Sequence, residues 1–267
     1  MTNKTKILKV GGSVVTFKNR DSALNVKVVK QIAKDISKWI KENPKSNLIF
    51  TSGAGSFGHP LAHKYNLHAE SAKKDSVGFV LTTVNMQDMA NRIAKLFHEF
   101  SVPLFPIMPS SVFETDEGRI IHADLNVLSD ALNRNLVPFF WGDTVIDKSH
   151  TFRILSGDQI NPYLVKHLGI NELYFGTNVN GIYDSDPNKN STATKINKIN
   201  NSNYKSVLNK ISGSNELDVT KGMRGKIEEI YQIKVRPLVC VIYNAFAPGN
   251  TYNALSGKNV GTQIKFS

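Results

Sequence analysis

Three times in this chain a short apolar run of strand character ends in a glycine-rich turn and then gives way to a helical pattern. "KILKV" (residues 6–10) leads to Gly11, Gly12 and Ser13, and "NLIFTS" (47–52) leads to Gly53, Ala54 and Gly55. "FRILSGDQINPYLVKHL" passes from strand through Gly157 and Asp158 into helix. A chain that repeats strand, turn and helix crosses over between strands, which makes the strands parallel and places helices on both sheet faces. Ligands of such sheets bind in the crevice beyond the carboxyl ends of the strands, where all three turns fall. The fold class expected from this order is α/β with a mostly parallel sheet.

The remaining patterns fit the same plan. "VKVVKQIAKDISKWIKENP" puts Val29, Ile32, Ala33, Ile36, Trp39 and Ile40 on one helical stripe that stops before Pro44. A longer helical pattern over residues 76–100 carries Val80, Val84, Met89, Ile93 and Phe97. "VPLFPIM" and "VPFFWGD" read as strands with the helical "ADLNVLSDALNRN" between them, and "ELYFGTN" and "PLVCVIYN" as further strands. "TKGMRGKIEEIYQIK" starts a helix, "GTQIKF" reads as an edge strand, and the Asn/Ser/Lys-rich residues 187–205 read as a surface excursion.

The 267 residues carry a formal net charge of +11. The lysines are interleaved with acids along the whole length, so the excess reads as a solvated surface rather than a nucleic-acid-binding arm. Cys240, the only cysteine, lies in an apolar run, which excludes an intrachain disulfide and a cysteine-built metal site. The N-terminus enters a strand directly and no apolar run is long enough to span a bilayer, so a cytoplasmic protein without a membrane partner is expected.

Gly53, Gly55 and Gly58 have the G-x-G-x-x-G spacing of a dinucleotide loop. The context fails that reading: a dinucleotide site needs an acid ending the next strand, whereas Glu70 and Asp75 sit in "HAESAKKDSVG", which is not a strand end. What survives is a backbone able to approach an anion and point N–H groups at it. His59 follows, placed to donate to a phosphate oxygen. Lys9, among apolar strand neighbours, is expensive to bury unless it meets an anion. Asp158 sits at a helix start, and Lys221 and Lys226 flank Gly222 and Gly225 in "TKGMRGK". G-x-x-x-x-G-K-[ST], H-R-D and D-F-G are absent. Two anion loops, converging lysines, one acid and a histidine are the inventory of phosphoryl transfer, where catalysis is mostly positioning and charge neutralisation.

In order along nearly the whole chain, "ILKVGGS", "GAGSFGH", "ILSGD", "GTNVNGIYDSDP", "GSNELDVTKGM" and "ALSGKNVGT" resemble the motifs of the amino acid kinase superfamily. Within it, "GAGSFGHP" and "SGSNELDVT" are similar to the isopentenyl phosphate kinases. The resemblance implies an open three-layer αβα sandwich, with residues 1–157 as an acceptor-binding lobe and 158–267 as an ATP-binding lobe on one continuous sheet. It implies transfer of phosphate from ATP, with Mg²⁺, to isopentenyl phosphate in a mevalonate-pathway variant, by a homodimer. Lys9, Lys18, His59, Asp158 and Lys226 match catalytic positions, and Gly12, Gly53, Ala54, His59 and Gly157 match contacts to the acceptor. Lys9, Gly11, Gly12, Ser13, Gly55, Asn178, Gly181, Lys221, Gly222 and Lys226 fall where the family surrounds the nucleotide.

Asn178 and Asn180 stand where the family has carboxylates, Lys221 and Ala54 where it has glycines, and Phe17 where aspartate is frequent. Phe79, Val80, Thr83 and Val84 are the expected wall for the hydrocarbon end, with ordinary core packing as their alternative. No metal-ligand cluster stands out, so Mg²⁺ is expected to arrive on the nucleotide. Two other functions remain open on the sequence: a kinase of another small phosphate or phosphonate, such as fosfomycin, and a non-catalytic anion-binding protein.

Overall fold

The computed structural model describes residues 4–67, 76–185, 187, 190–211, 222–233, 235 and 237–267. Strand β1 (Lys4–Val10) is followed by a single turn, α1 (Gly12–Val15), and by α2 (Val26–Glu42). Asn25 caps α2 by accepting from the Val28 N–H, and Val28, Val29, Ile32, Ala33, Ile36 and Trp39 are buried, as their spacing requires. Then come β2 (Ser46–Ser52), α3 (Gly55–Lys64), α4 (Ser76–His98) and β3 (Leu104–Pro106). A short turn, α5 (Pro109–Val112), leads to β4 (Phe113–Asp116), β5 (Arg119–Ala123), α6 (Asn126–Asn133), β6 (Val137–Trp141), β7 (Asp143–Asp147) and β8 (Thr151–Leu155). The second half holds α7 (Gly157–Leu168), β9 (Glu172–Thr177), β10 (Ile182–Tyr183), β11 (Lys195–Ile196), β12 (Lys198–Ile199), α8 (Tyr204–Lys210) and α9 (Gly222–Gln232). It closes with β13 (Leu238–Asn244), α10 (Asn250–Leu255) and β14 (Thr262–Phe266).

One eight-stranded sheet runs β12-β14-β13-β9-β1-β2-β6-β3 and is parallel at every pairing except β13 with β14. Strands from both halves of the chain form it, with β1 in the interior. Alternate residues feed two cores. Leu8, Phe50, Phe139 and Trp141 pack on the α2/α4 side, and Ile7, Ile49, Phe140 and Phe175 on the α7/α9 side. Cys240 is buried in the second core.

Three sequence expectations need correction. The strand in "GTQIKF" is not an edge: β14 lies between β13 and the two-residue β12, which comes from the stretch expected to be irregular surface. "VPLFPIM" yields only three strand residues, because Pro103 and Pro106 withhold ladder donors. Val80 and Val84 belong to no core stripe, being 53% and 56% exposed. The inward line of α4 is Thr82, Met86, Met89, Ile93 and Phe97, and positions 80 and 84 are about half a turn out of phase with it.

The small sheet β5-β4-β7-β8 went unanticipated. Its β4–β5 hairpin turns through Glu117 and Gly118, both at positive φ (48° and 71°), a two-residue connection that suits the strand twist.

At the amino end of the main sheet, Glu172 takes ammonium groups from Lys4 and Lys6 and the Tyr174 hydroxyl at 2.7 Å, and Lys6 also donates to the Leu255 carbonyl at 2.7 Å. Burial would raise the Glu172 carboxyl, but the Lys4, Lys6 and Tyr174 bonds outweigh it and hold its pKa at about 2 against 4.5. A depressed carboxylate contributes stability above its unfolded pKa and loses it as pH falls through the folded value. Glu172→Gln should therefore cost about 1–2 kcal/mol in urea unfolding at pH 7, after allowance for the exposed Lys4 side. The gap from wild type should close between pH of about 4.5 and about 2.

Candidate active site

Lys9 is the penultimate residue of β1, and its side chain leaves the sheet on the α7 side, the face that Ile7 shares. There it donates to Asp158 Oδ2 at 2.5 Å, while Lys226, from α9, donates to Asp158 Oδ1 at 2.5 Å. One carboxylate thus holds two ammonium groups that come from opposite ends of the chain. Asp158 lies in the first turn of α7, where negative charge is favourable, and the Gln159 side chain accepts the Ser156 N–H at 3.1 Å to fix that helix start. The Lys9 stem passes close over Gly157, where a Cβ would stand 3.4 Å from Lys9 Cε, an ordinary van der Waals contact. The Lys226 ammonium also sits 4.9 Å from the centre of the Phe175 ring in β9.

Burial would raise the Asp158 carboxyl, but the charges of Lys226 and Lys9 outweigh it and hold it well below the usual carboxylate range. For Lys9 burial dominates: its pKa falls to about 8, with Asp158 pulling it up and Lys226 pushing it further down. At pH 7 Lys9 and Asp158 are therefore both charged, and the Asp158 carboxylate is shared with the Lys226 amine at the strand ends.

The two glycine turns meet in front of this trio. Gly11 N–H donates to the Gly176 carbonyl, Gly53 N–H to Val10 and Gly142 N–H to Ser52, at 2.9, 2.9 and 3.0 Å, which carries the ladder past the strand ends. The turns then touch backbone to backbone. A Cβ on Gly12 would lie 2.4 Å from the Gly55 nitrogen, and one on Gly53 would lie 2.4 Å from the Gly12 nitrogen. Thr16 ties the two together, accepting the Ser56 N–H at 3.0 Å and donating to the Gly12 carbonyl at 2.8 Å. Helix α3 opens at Gly55, the second glycine of the motif rather than the third, and its first turn is tied down by the Ser56 N–H on Thr16 and the Phe57 N–H on the Ala54 carbonyl at 3.2 Å.

His59 is an exposed residue of α3. Pro60 beside it lacks the N–H that would bond Ser56, and that carbonyl is taken instead by the Ser22 N–H at 3.2 Å. The helix therefore carries a proline in its interior without an orphaned acceptor.

Other expected residues lie further out. Lys18 is exposed in the turn after Thr16, and Asn178 is exposed after β9. Asn180 accepts from the Asn244 side chain at 2.9 Å, on the rim of a cavity of about 350 Å³ lined by Asn180, Tyr183, Lys195, Asn244, Asn250 and Asn259. Ser13 lies in α1, Gly181 is buried beside this cavity and Gly222 opens α9. Lys221 and "SGSNELDVT" lie outside the described residues. The expected hydrocarbon wall divides: Phe79 stacks on Phe152 at 4.2 Å and Thr83 bonds Thr144 at 2.8 Å, whereas Val80 and Val84 point away. Thr16, Phe175 and Gly142 were missed, and no local pattern marks them. Among the described residues no group of three or more His, Cys, Asp or Glu side chains could hold a metal ion.

A model of the amino acid kinase family matches residues 4–244. The chain is 36% identical to the isopentenyl phosphate kinase of Methanocaldococcus jannaschii over 98% of both chains, and 32% identical to that of Methanothermobacter thermautotrophicus over 97% of this chain and 98% of that one. Among solved structures it is similar to an isopentenyl phosphate kinase at a TM-score of 0.83 and 29% identity, covering 97% of this chain and all of the other.

Proposed function

The chain belongs to the amino acid kinase family, and from that premise we propose that it transfers the γ-phosphoryl group of ATP to isopentenyl phosphate, giving isopentenyl diphosphate and ADP. The observation that carries the reading is the Lys9–Asp158–Lys226 trio behind two abutting glycine turns. Two polyanions that repel each other must be brought into line, and this arrangement supplies buried positive charge and backbone donors where they meet. An acceptor phosphate oxygen is already a nucleophile, so no strong base is required. As the new O–P bond forms, the bond to the ADP oxygen breaks, and the electron pair leaves with ADP.

In this reading Lys9 and Lys226 bridge the nucleotide phosphates and the group in transit, Asp158 fixes their spacing, and Lys18 reaches in from its turn. His59 and the backbone at Gly12, Gly53, Ala54 and Gly157 hold the acceptor phosphate. Gly11, Ser13 and Gly55 border the nucleotide phosphates, while Asn178, Gly181 and Gly222 surround the rest of the nucleotide; Lys221 is assigned to the nucleotide by the resemblance alone. Mg²⁺ held by the nucleotide would neutralise phosphate charge; the Asp158 carboxylate, committed to two ammonium groups, fits such a division of labour. Residues 1–157 would serve the acceptor and 158–267 the nucleotide, in a cytoplasmic homodimer acting in isoprenoid synthesis. No helix among the described residues is long and apolar enough to cross a membrane.

The test is ADP release with ATP, Mg²⁺ and a panel of isopentenyl, dimethylallyl and geranyl phosphates and fosfomycin. Preference for isopentenyl phosphate is expected; turnover of another acceptor with rejection of every prenyl phosphate would overturn the substrate and keep the chemistry. His59→Ala should lower kcat/KM for the acceptor by roughly a hundred- to a thousandfold, with the ATP KM nearly unchanged. An unaltered acceptor kcat/KM would remove His59 from the site.

A further inference from the structure

We propose that Asp143 is a positioning residue for the acceptor: it sets the backbone at the ends of β2 and β6 on which the phosphate-binding glycine turn rests. The inference depends on the acceptor phosphate lying at Gly53–Gly55, as proposed above.

Asp143 stands where three parts of the acceptor side join. Immediately before it, Gly142 donates its N–H to the Ser52 carbonyl at 3.0 Å and packs under the turn, with its Cβ direction meeting the Ala54 nitrogen at 3.5 Å. Immediately after it, Thr144 bonds Thr83 of α4 at 2.8 Å. A shift of the Asp143 backbone therefore moves the glycine turn and the helix beside it together.

Its carboxyl is buried, and the hydrogen bond it makes is to the Thr144 N–H, accepted by Oδ1 at 2.9 Å. Oδ2 has no hydrogen-bond partner, and neither do three other buried side-chain atoms in the same corner: Trp141 Nε1, Ser110 Oγ and Ser52 Oγ. Trp141 and Ser52 are register partners at the ends of β6 and β2. Burial pushes the Asp143 carboxyl up to about 7, opposed first by the Thr144 N–H; the Trp141 indole and the Ser110 side chain approach the carboxyl and oppose the shift further without completing a hydrogen bond to it. A carboxyl so poorly compensated lowers stability relative to an apolar side chain of similar size. Groups retained at such a cost beside a binding site are candidates for function rather than folding.

The experiment is steady-state kinetics of wild type, Asp143→Asn and Asp143→Ala, varying acceptor at saturating ATP and ATP at saturating acceptor, with thermal midpoints measured alongside. Asp143→Asn keeps an oxygen for the Thr144 N–H but turns an amide donor toward the indole N–H. It should raise the acceptor KM severalfold, and Asp143→Ala should raise it about tenfold, the scale of one hydrogen bond. The ATP KM should stay within about twofold in both. A merely structural role would move the thermal midpoint without splitting the two KM values. An unchanged acceptor KM, or an equal rise in both, overturns the proposal. If Asp143→Ala fails to fold, Asp143→Asn decides by the same criterion. Should wild type reject isopentenyl phosphate, the substrate reading falls, and the Asp143 comparison is read on whichever acceptor of the panel is turned over.

Discussion

Asp158→Asn is expected to cut turnover about a thousandfold, the scale of losing one preorganised charge-stabilising element, while ATP still binds. The substitution keeps the shape of the side chain but leaves two buried ammonium groups sharing a neutral amide. Burial and Lys226 both lower the Lys9 pKa and only Asp158 raises it, which together leave it at about 8. In the variant Lys9 should lose its proton at lower pH, so the alkaline fall in rate, expected near pH 8 in wild type, should move toward neutrality. Breaking a buried ion pair from one side costs about 3–5 kcal/mol, so the urea midpoint should drop as well. ATP brings negative charge to the lysines and should recover part of that stability. Rate against pH, with calorimetric titration of nucleotide, checks both halves. A variant with a wild-type rate and an unshifted alkaline limb would separate Asp158 from the chemistry.

Gly12→Ala should be as damaging for a different reason. The added methyl would stand 2.4 Å from the Gly55 nitrogen and 2.7 Å from its Cα, so backbone, not a movable side chain, would have to yield. Separating the turns disturbs both the acceptor and nucleotide sides. A fall of more than about a hundredfold in kcat/KM for both substrates is expected, with about 3 kcal/mol lost to overpacking. Gly169→Ala is the control. Its Cβ meets nothing within 4 Å, but φ is +63°, so it should lose roughly 1 kcal/mol from backbone strain and leave turnover unchanged. Denaturant midpoints and kinetics of the two variants distinguish collision at the site from general loss of stability.

Much of this arrangement was legible in the residues. Lys9 stood out because a lysine in an apolar strand needs a partner, and the structure supplies Asp158. The glycine turns stood out because they follow strands, and a helix does open at Gly55. The small sheet was not legible, because "FETD" and "RIIHA" are short and, although they pair as a local hairpin, β4 is built into a sheet only by β7, where Thr115 stands opposite the sequence-distant Asp147. Nor was the phase of α4: valines at 80 and 84 look like core by composition, and only the packed position of Met86 and Met89 shows which side faces inward.

What the sequence determined by itself is local. Periods of two and of 3.6 residues set strands and helices, and turn residues placed backbone donors at strand ends, because those effects act over a few residues. What tertiary structure alone decided is which of these groups meet. Asp158 lies 149 residues from Lys9 and 68 from Lys226, and the Gly12 turn packs on the Gly53 turn across β1 and β2. The order of strands in the sheet fixes those encounters. That order minimises free energy over the whole packed chain, so no single stretch of the sequence can specify it.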